Sequence, residues 1–188
     1  ARNQLMAKVM LQCGLRVEEV VTIPSAWVRD VAVSGSRAMQ LGRVRGKGGK
    51  VRPIEWPTQL LLEVQEYIDF QRQMTIEWAQ ASDGSYTEPT ALFLSGDGQA
   101  LTTNWVGKLF KQASKASGIH CTPHMLRHTY GTYHYLLHQD LAKLANLMGH
   151  SSEETTRTYY VHTAALVAMT DKFNDFQAEI DAKLGVVQ

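Results

Sequence analysis

The stretch that most limits what this chain can fold into runs from Ala26 to Trp56, where valines, glycines and arginines replace the helix formers on either side. Gly46-Lys47-Gly48-Gly49-Lys50 divides it into two strand-like runs and supplies a reversal, because glycine enters left-handed backbone without steric cost. A small antiparallel sheet follows. Two strands cannot stabilise themselves alone, so the helices before and after must cover them. The fold class expected is α+β, mainly α: a single helical domain over residues 1–188 with a small antiparallel β-sheet.

Helix starts and stops punctuate the rest of the chain. Gln4 to Cys13 is rich in helix formers and ends at Gly14, a C-cap, and Val17 to Val21 makes a second, short helix. Pro57 suits the first turn of a long amphipathic helix with Leu61, Val64, Ile68 and Met74 on its buried side. Ala81 to Thr90 reads as a polar loop, followed by the apolar run Ala91-Leu92-Phe93-Leu94 and the turn Gly96-Asp97-Gly98. Thr102 or Thr103 caps a helix that buries Trp105, Val106, Leu109 and Phe110 and turns Lys108, Lys111 and Lys115 outward. Thr122 at N-cap and Pro123 at N1 open another. Asp140 caps a helix carrying Leu141, Leu144, Leu147 and Met148 that stops at Gly149, and Ser151 or Ser152 caps the next. Leu166, Met169, Phe173, Phe176, Ile180 and Leu184 then keep helical spacing towards the end.

A length of 188 residues suits one well-buried domain, and 44% hydrophobic with 20% charged residues excludes a disordered chain. No apolar run reaches the length of a bilayer span and the first residues lack a signal-peptide core, so a soluble cytosolic protein is expected. Cys13 and Cys121 lie far apart without metal-ligand spacing and read as buried small hydrophobes. The net charge of +1 hides a local excess. Between Asp30 and Glu55 there is no acidic residue, while Arg37, Arg43, Arg45, Lys47, Lys50 and Arg52 all fall there. Charge alone is equally at home on a solvated hairpin.

His124 and Arg127 stand three apart in the first turn of the helix opened by Thr122-Pro123, beside free backbone N–H groups and the positive end of the helix dipole. Such a place suits a phosphate, although a surface pair or a satisfied polar network has the same spacing. His150 follows the stop at Gly149, where an imidazole is presented rather than packed. Glu153 and Glu154 favour the first turn of the helix after it. Tyr159 and Tyr160 follow two turns on and point about 100° apart, so only one can face a given site.

Five elements stand in order along the chain: Gly14-Leu15-Arg16-Val17-Glu18-Glu19, Gly46-Lys47-Gly48, His124-x-x-Arg127-His128-Thr129, Leu147-Met148-Gly149-His150-Ser151, and Thr155-Thr156 with Tyr160-x-His162. In order and interval they resemble the catalytic domain of the tyrosine recombinases, or phage-type integrases. The resemblance implies an enzyme that cuts and rejoins DNA strands through a 3′-phosphotyrosyl intermediate, without metal or nucleotide cofactor. It further implies double-stranded DNA as partner and a homotetramer on DNA. An isolated domain would be a monomer with weak DNA affinity, lacking the N-terminal DNA-binding domain of the family. An accessory directionality factor, a phage or mobile-element role and a place in the cytoplasm, at the nucleoid, also follow.

By the same resemblance Arg16 and Arg127 hold the nonbridging phosphate oxygens, a task suited to a planar, permanent cation. Lys47 protonates the leaving 5′-oxygen, with Lys50 the alternative because the hairpin register is open. His124 assists acid-base transfer, His150 hydrogen-bonds the phosphate, and Glu19 braces the site. DNA contacts are assigned to Arg43, Arg45, Lys50, Lys108, Lys111 and Lys115, for which a solvated face is the alternative. Counting forward from His150 favours Tyr159 as nucleophile; counting back from His162 favours Tyr160, the assignment preferred. Residues 163–188 would form a C-terminal helix exchanged between subunits. The family's common glycine ahead of the second helix is missing at Leu136 to Leu141, which bears on loop geometry alone. Rival readings are a type IB topoisomerase, a catalytically silent DNA-binding module, and a metal site at His124/His128 or His134/His138. Neither histidine pair encloses the general-base glutamate of a zinc protease, and Arg127 would set a fixed cation beside the metal.

Overall fold

The computed structural model describes residues 2–150, 153–161 and 165–170; within these, nothing is described of the side chains of Lys47, Glu153 and Tyr159. It is mainly helical with one two-stranded antiparallel sheet. Helix α1 (Arg2–Cys13) ends at Gly14, which takes the left-handed backbone at φ +63° that a C-cap glycine supplies. Helices α2 (Val17–Thr22) and α3 (Ser25–Arg29) follow. Strands β1 (Met39–Arg45) and β2 (Val51–Pro57) pair from Met39↔Pro57 to Arg45↔Val51, and the tight turn Lys47–Gly49 joins them.

Several expectations are corrected by the structure, among them the burial of Trp105 and Leu109, which are only partly buried. The stretch from Ala26 does not begin as sheet: α3 occupies it first, and β1 starts only at Met39. Pro57 closes β2 and stands at the N-cap of α4 (Thr58–Tyr67) rather than in its first turn. The long helix is interrupted by a π turn, Ile68–Arg72, before α5 (Gln73–Ser82), and Met74 is 69% exposed. Met74 lies just past that π turn, whose wider winding breaks the α-helical phase counted from Leu61, and it faces solvent whatever its hydrophobicity. The buried positions there are Ile76, Ala79 and Arg72. Arg72 donates to the carbonyls of Pro89 and Ala91 and pairs with Glu88 at 2.6 Å, so it fastens the polar loop, which begins only after Ser82.

Ala91 to Leu94 is fully interior, and the Leu92 amide bonds to Ile23 O at 2.9 Å. Thr102, not Thr103, caps α6 (Thr103–Ser117) by accepting from the Trp105 amide. Thr122 caps α7 (Pro123–His138), and Asp140 caps α8 (Leu141–Met148), which ends at left-handed Gly149. Helix α9 (Glu153–Thr156) runs into a second π turn, Arg157–Val161, and residues 165–170 are again helical. The main core gathers Met6, Val9, Met10, Leu15, Trp56, Leu61 and Phe93; a smaller cluster holds Tyr130, Leu144, Met148 and Tyr160. Cys13 is buried, whereas Cys121 is only half-buried. The Ser151 or Ser152 cap, His162, and the apolar stripe from Phe173 onward lie outside the described residues; Leu166 and Met169, its first members, are exposed. No described helix is long and apolar enough to cross a membrane.

Candidate active site

Helices α2 and α7 begin side by side, and the segment after α8 closes over them. Between them lies an open cleft of about 390 Å³ lined by Arg16, Val17, Glu18, Pro123, His124, Arg127, His128, His150 and Tyr160. Five of the six residues singled out from sequence as catalytic therefore meet in one place, drawn from four separate segments. For the sixth, Lys47, the backbone sits in the β-hairpin turn, two residues beyond Arg45. Its side chain lies outside the description, as does that of Tyr159.

The arginines are organised by Glu19, a carboxylate only 2% exposed. Arg16 is the N-cap of α2: its amide donates to Glu19 Oε2 at 2.8 Å and its Nη1 to Oε1 at 3.2 Å. Arg52 contacts both oxygens, at 3.1 and 2.7 Å, and Arg127 Nη1 lies 3.8 Å from Oε2. Burial by itself would raise the Glu19 pKa; the Arg52 bonds and charge, the Arg16 amide and the Arg127 charge outweigh it and hold the carboxyl below its usual value. Burial, together with the charges of Arg16 and Arg52, pushes Arg127 down to about 10, which still leaves it a cation at neutral pH. Arg127 is buried to 3%, and it donates to Gly14 O at 2.6 Å and to Met148 O. It thereby binds the ends of α1 and α8 to α7.

His150 Nδ1 lies 3.0 Å from Thr156 Oγ1, which fixes the ring. Burial first, then the charges of Arg127, Arg16 and Arg52, push its pKa down to about 4. The imidazole is therefore neutral near pH 7 and able to donate one N–H without adding charge. Tyr160 stacks nearly parallel to His150, with centroids 6.1 Å apart, and its ring is 5.6 Å from that of His128. Its ring rests on Gly131 of α7, where a Cβ would stand 2.3 Å from ring carbon Cε1. The His124 and His128 rings meet edge to face at 4.5 Å, and His124 is solvent-exposed.

The other positions lie outside the cleft lining. Arg43 and Arg45 lie over the Trp27 ring at 4.6 and 5.7 Å, a cation–π arrangement that holds both on the outer face of β1. Lys50 is exposed beside the hairpin turn, and Lys108, Lys111 and Lys115 are exposed on α6. Arg52 was counted in the sequence only as part of a basic run; it is buried at the centre of the arginine cluster. Among the described residues no group of three His, Cys, Asp or Glu side chains is placed to hold a metal ion.

The sequence profile described as the phage integrase family matches residues 1–166. Tyrosine recombinase XerC of Chlamydia caviae is 31% identical over 165 residues, covering 87% of this chain and 47% of that protein. XerC of Chlamydia pneumoniae is 30% identical over 160 residues, covering 84% and 46%. The chain thus spans about half the length of these relatives. Among solved structures, the XerH site-specific recombinase in a post-cleavage complex with its palindromic difH substrate shares the fold at a TM-score of 0.69. It is 22% identical, and the match covers 91% of this chain and 45% of that one. On the match over residues 1–166, this chain belongs to the phage integrase family.

Proposed function

We propose that this domain breaks and rejoins DNA strands in site-specific recombination, with Tyr160 as nucleophile. The observation that carries it is the gathering of Arg16, Arg127, His124, His150 and Tyr160 around one open cleft. Arg16 and Arg127 would grip the two nonbridging oxygens of a backbone phosphate, where charge builds in the transition state. The Tyr160 oxygen forms the new bond to phosphorus as the bond to the 5′-oxygen breaks. His124, exposed at the rim, takes the phenolic proton, and Lys47 returns one to the leaving 5′-oxygen. His150, neutral, donates to the phosphate without altering the charge balance. A 5′-hydroxyl from a partner strand then reverses the step.

Double-stranded DNA is the substrate in this proposal, and a homotetramer on DNA is the working assembly, with an accessory factor setting direction. The domain works in the cytoplasm, at the nucleoid. Residues 163–188 pass to a neighbouring subunit when DNA is bound, and recombination unchanged by deletion of residues 171–188 would count against that. Incubation with a nicked DNA that traps the covalent intermediate tests the chemistry. Wild type should give a protein–DNA adduct mapped to Tyr160. Tyr160→Phe should abolish it, while Tyr159→Phe leaves it detectable; the reverse pattern would move the nucleophile to Tyr159.

A further inference from the structure

Three arginines converge on the end of α8, and one of them is not spoken for by phosphate. Arg52 is 4% exposed and every guanidinium nitrogen is engaged. Nε and Nη2 donate to the two oxygens of Glu19, and Nη1 donates to Leu147 O and, at 3.4 Å, to Pro53 O. Arg127 Nη2 donates to the next carbonyl, that of Met148, and Arg16 Nη2 to the next again, that of Gly149, at 3.4 Å. Carbonyls at a helix C-terminus have no partner within the helix and carry the negative end of its dipole. Here three in succession each meet a separate guanidinium, and His150 is the next residue.

The backbone of the turn is shaped around the same side chain. Gly149 is left-handed at φ +61°, and a Cβ there would stand 2.7 Å from Arg52 Cδ. Any other residue would be strained in φ and would also push Arg52 aside. The charges divide in the same way. Glu19 and Arg52 form a buried pair in which every guanidinium nitrogen is engaged, which leaves Arg16 and Arg127 as the arginines that line the cleft.

We propose that Arg52 is a positioning residue for strand cutting: by joining Glu19 to the Leu147 carbonyl it fixes the Gly149-His150 turn and keeps Arg16 and Arg127 aimed at the phosphate. Its effect on rate rests on the proposed function; its effect on the His150 turn does not.

Arg52→Met and Arg52→Lys test this against wild type. In folded Arg52→Met, DNA affinity should stay within about twofold, because a buried side chain makes no backbone contact with DNA. Adduct formation on the nicked DNA should slow about a hundredfold, the usual penalty for misplacing a reacting group by about an ångström. Arg52→Lys should recover part of that rate. The His150 imidazole, followed by NMR and assigned with His150→Gln, should titrate higher once one of its three neighbouring arginine charges is gone. If Arg52→Met does not fold, Arg52→Gln takes its place, because its amide keeps a donor for Glu19 without the charge or the planar fork of arginine. Its adduct formation should slow by a similar factor. A folded variant with a cleavage rate within about threefold of wild type, or with an unchanged His150 titration, overturns the proposal. Wild type forming no adduct would instead overturn the proposed function; exchange of the His150 amide, bonded to the Ala145 carbonyl at 3.0 Å and expected to quicken in Arg52→Met as the turn loosens, would still decide the role of Arg52.

Discussion

At the scale of single residues the site is an arrangement of cations around one carboxylate, with a histidine kept neutral beside them. That neutrality has a consequence for stability. The folded protein holds His150 near a pKa of about 4, while an unfolded histidine titrates at about 6.5. Between those values the unfolded chain binds a proton that the folded chain refuses, so stability falls as pH drops from 6.5 towards 4. His128, lowered by burial and the His124 charge, and His134, lowered by burial and the His138 charge, act in the same direction. Urea unfolding at pH 7 and pH 5 should therefore show lower stability at pH 5, and His150→Gln should shrink the difference; an equal loss in the variant would remove His150 as a cause. Residue identities in this cluster were legible because the motifs carry them. Arg52 is harder to see, although the signal is present: in β2 it alternates in phase with Ile54 and Trp56, so its period-two position is on the buried face. In the sequence its charge, one of a basic run, masks that phase.

Elements place these residues through their ends and their irregularities. Caps at Thr122 and Asp140, and stops at Gly14 and Gly149, follow from local chemistry, whereas the choice between Thr102 and Thr103 at the start of α6 needs the structure, which gives Thr102. The two π turns are not legible in the sequence, because one extra residue per turn leaves no compositional mark. The turn Arg157–Val161 bears on the tyrosine question. It carries Tyr160, and among the described side chains Tyr160 is the tyrosine that lines the cleft. What receives that ring is Gly131, buried within α7. Gly131→Ala should favour the helix itself by about 1 kcal/mol. The added methyl, however, overlaps the Tyr160 ring, so the ring must shift. The variant should stay folded, with helical content unchanged by circular dichroism, while adduct formation falls by about a hundredfold. A wild-type rate would show that Tyr160 does not react from its place against α7.

Across the whole molecule, a net charge of +1 conceals a division of charge between faces. The outer side of α4, the π turn and α5 exposes Glu66, Asp69 and Glu77, of which Asp69 pairs with Arg29 of α3 at 3.1 Å. Arg43, Arg45 and Lys50 stand on the hairpin, and Lys108, Lys111 and Lys115 on α6, which packs against both helices that open the cleft. The fold class followed from sequence because a single glycine-rich hairpin in a helical chain allows few layer arrangements. Which lysines touch DNA does not follow in the same way, since an exposed lysine looks alike on a solvated face and on a binding face. Salt separates the two. Each phosphate neutralised by a cation releases about one counterion, so the slope of log affinity against log salt counts the contacts. Duplex binding by this 188-residue chain should be weak and steeply salt-dependent. Replacing Lys108, Lys111 and Lys115 singly by glutamine should lower the slope by about one unit at each lysine that meets a phosphate, with equal effect on unrelated sequences. Slopes unchanged in all three variants would return α6 to the solvated surface and leave the hairpin to carry the duplex.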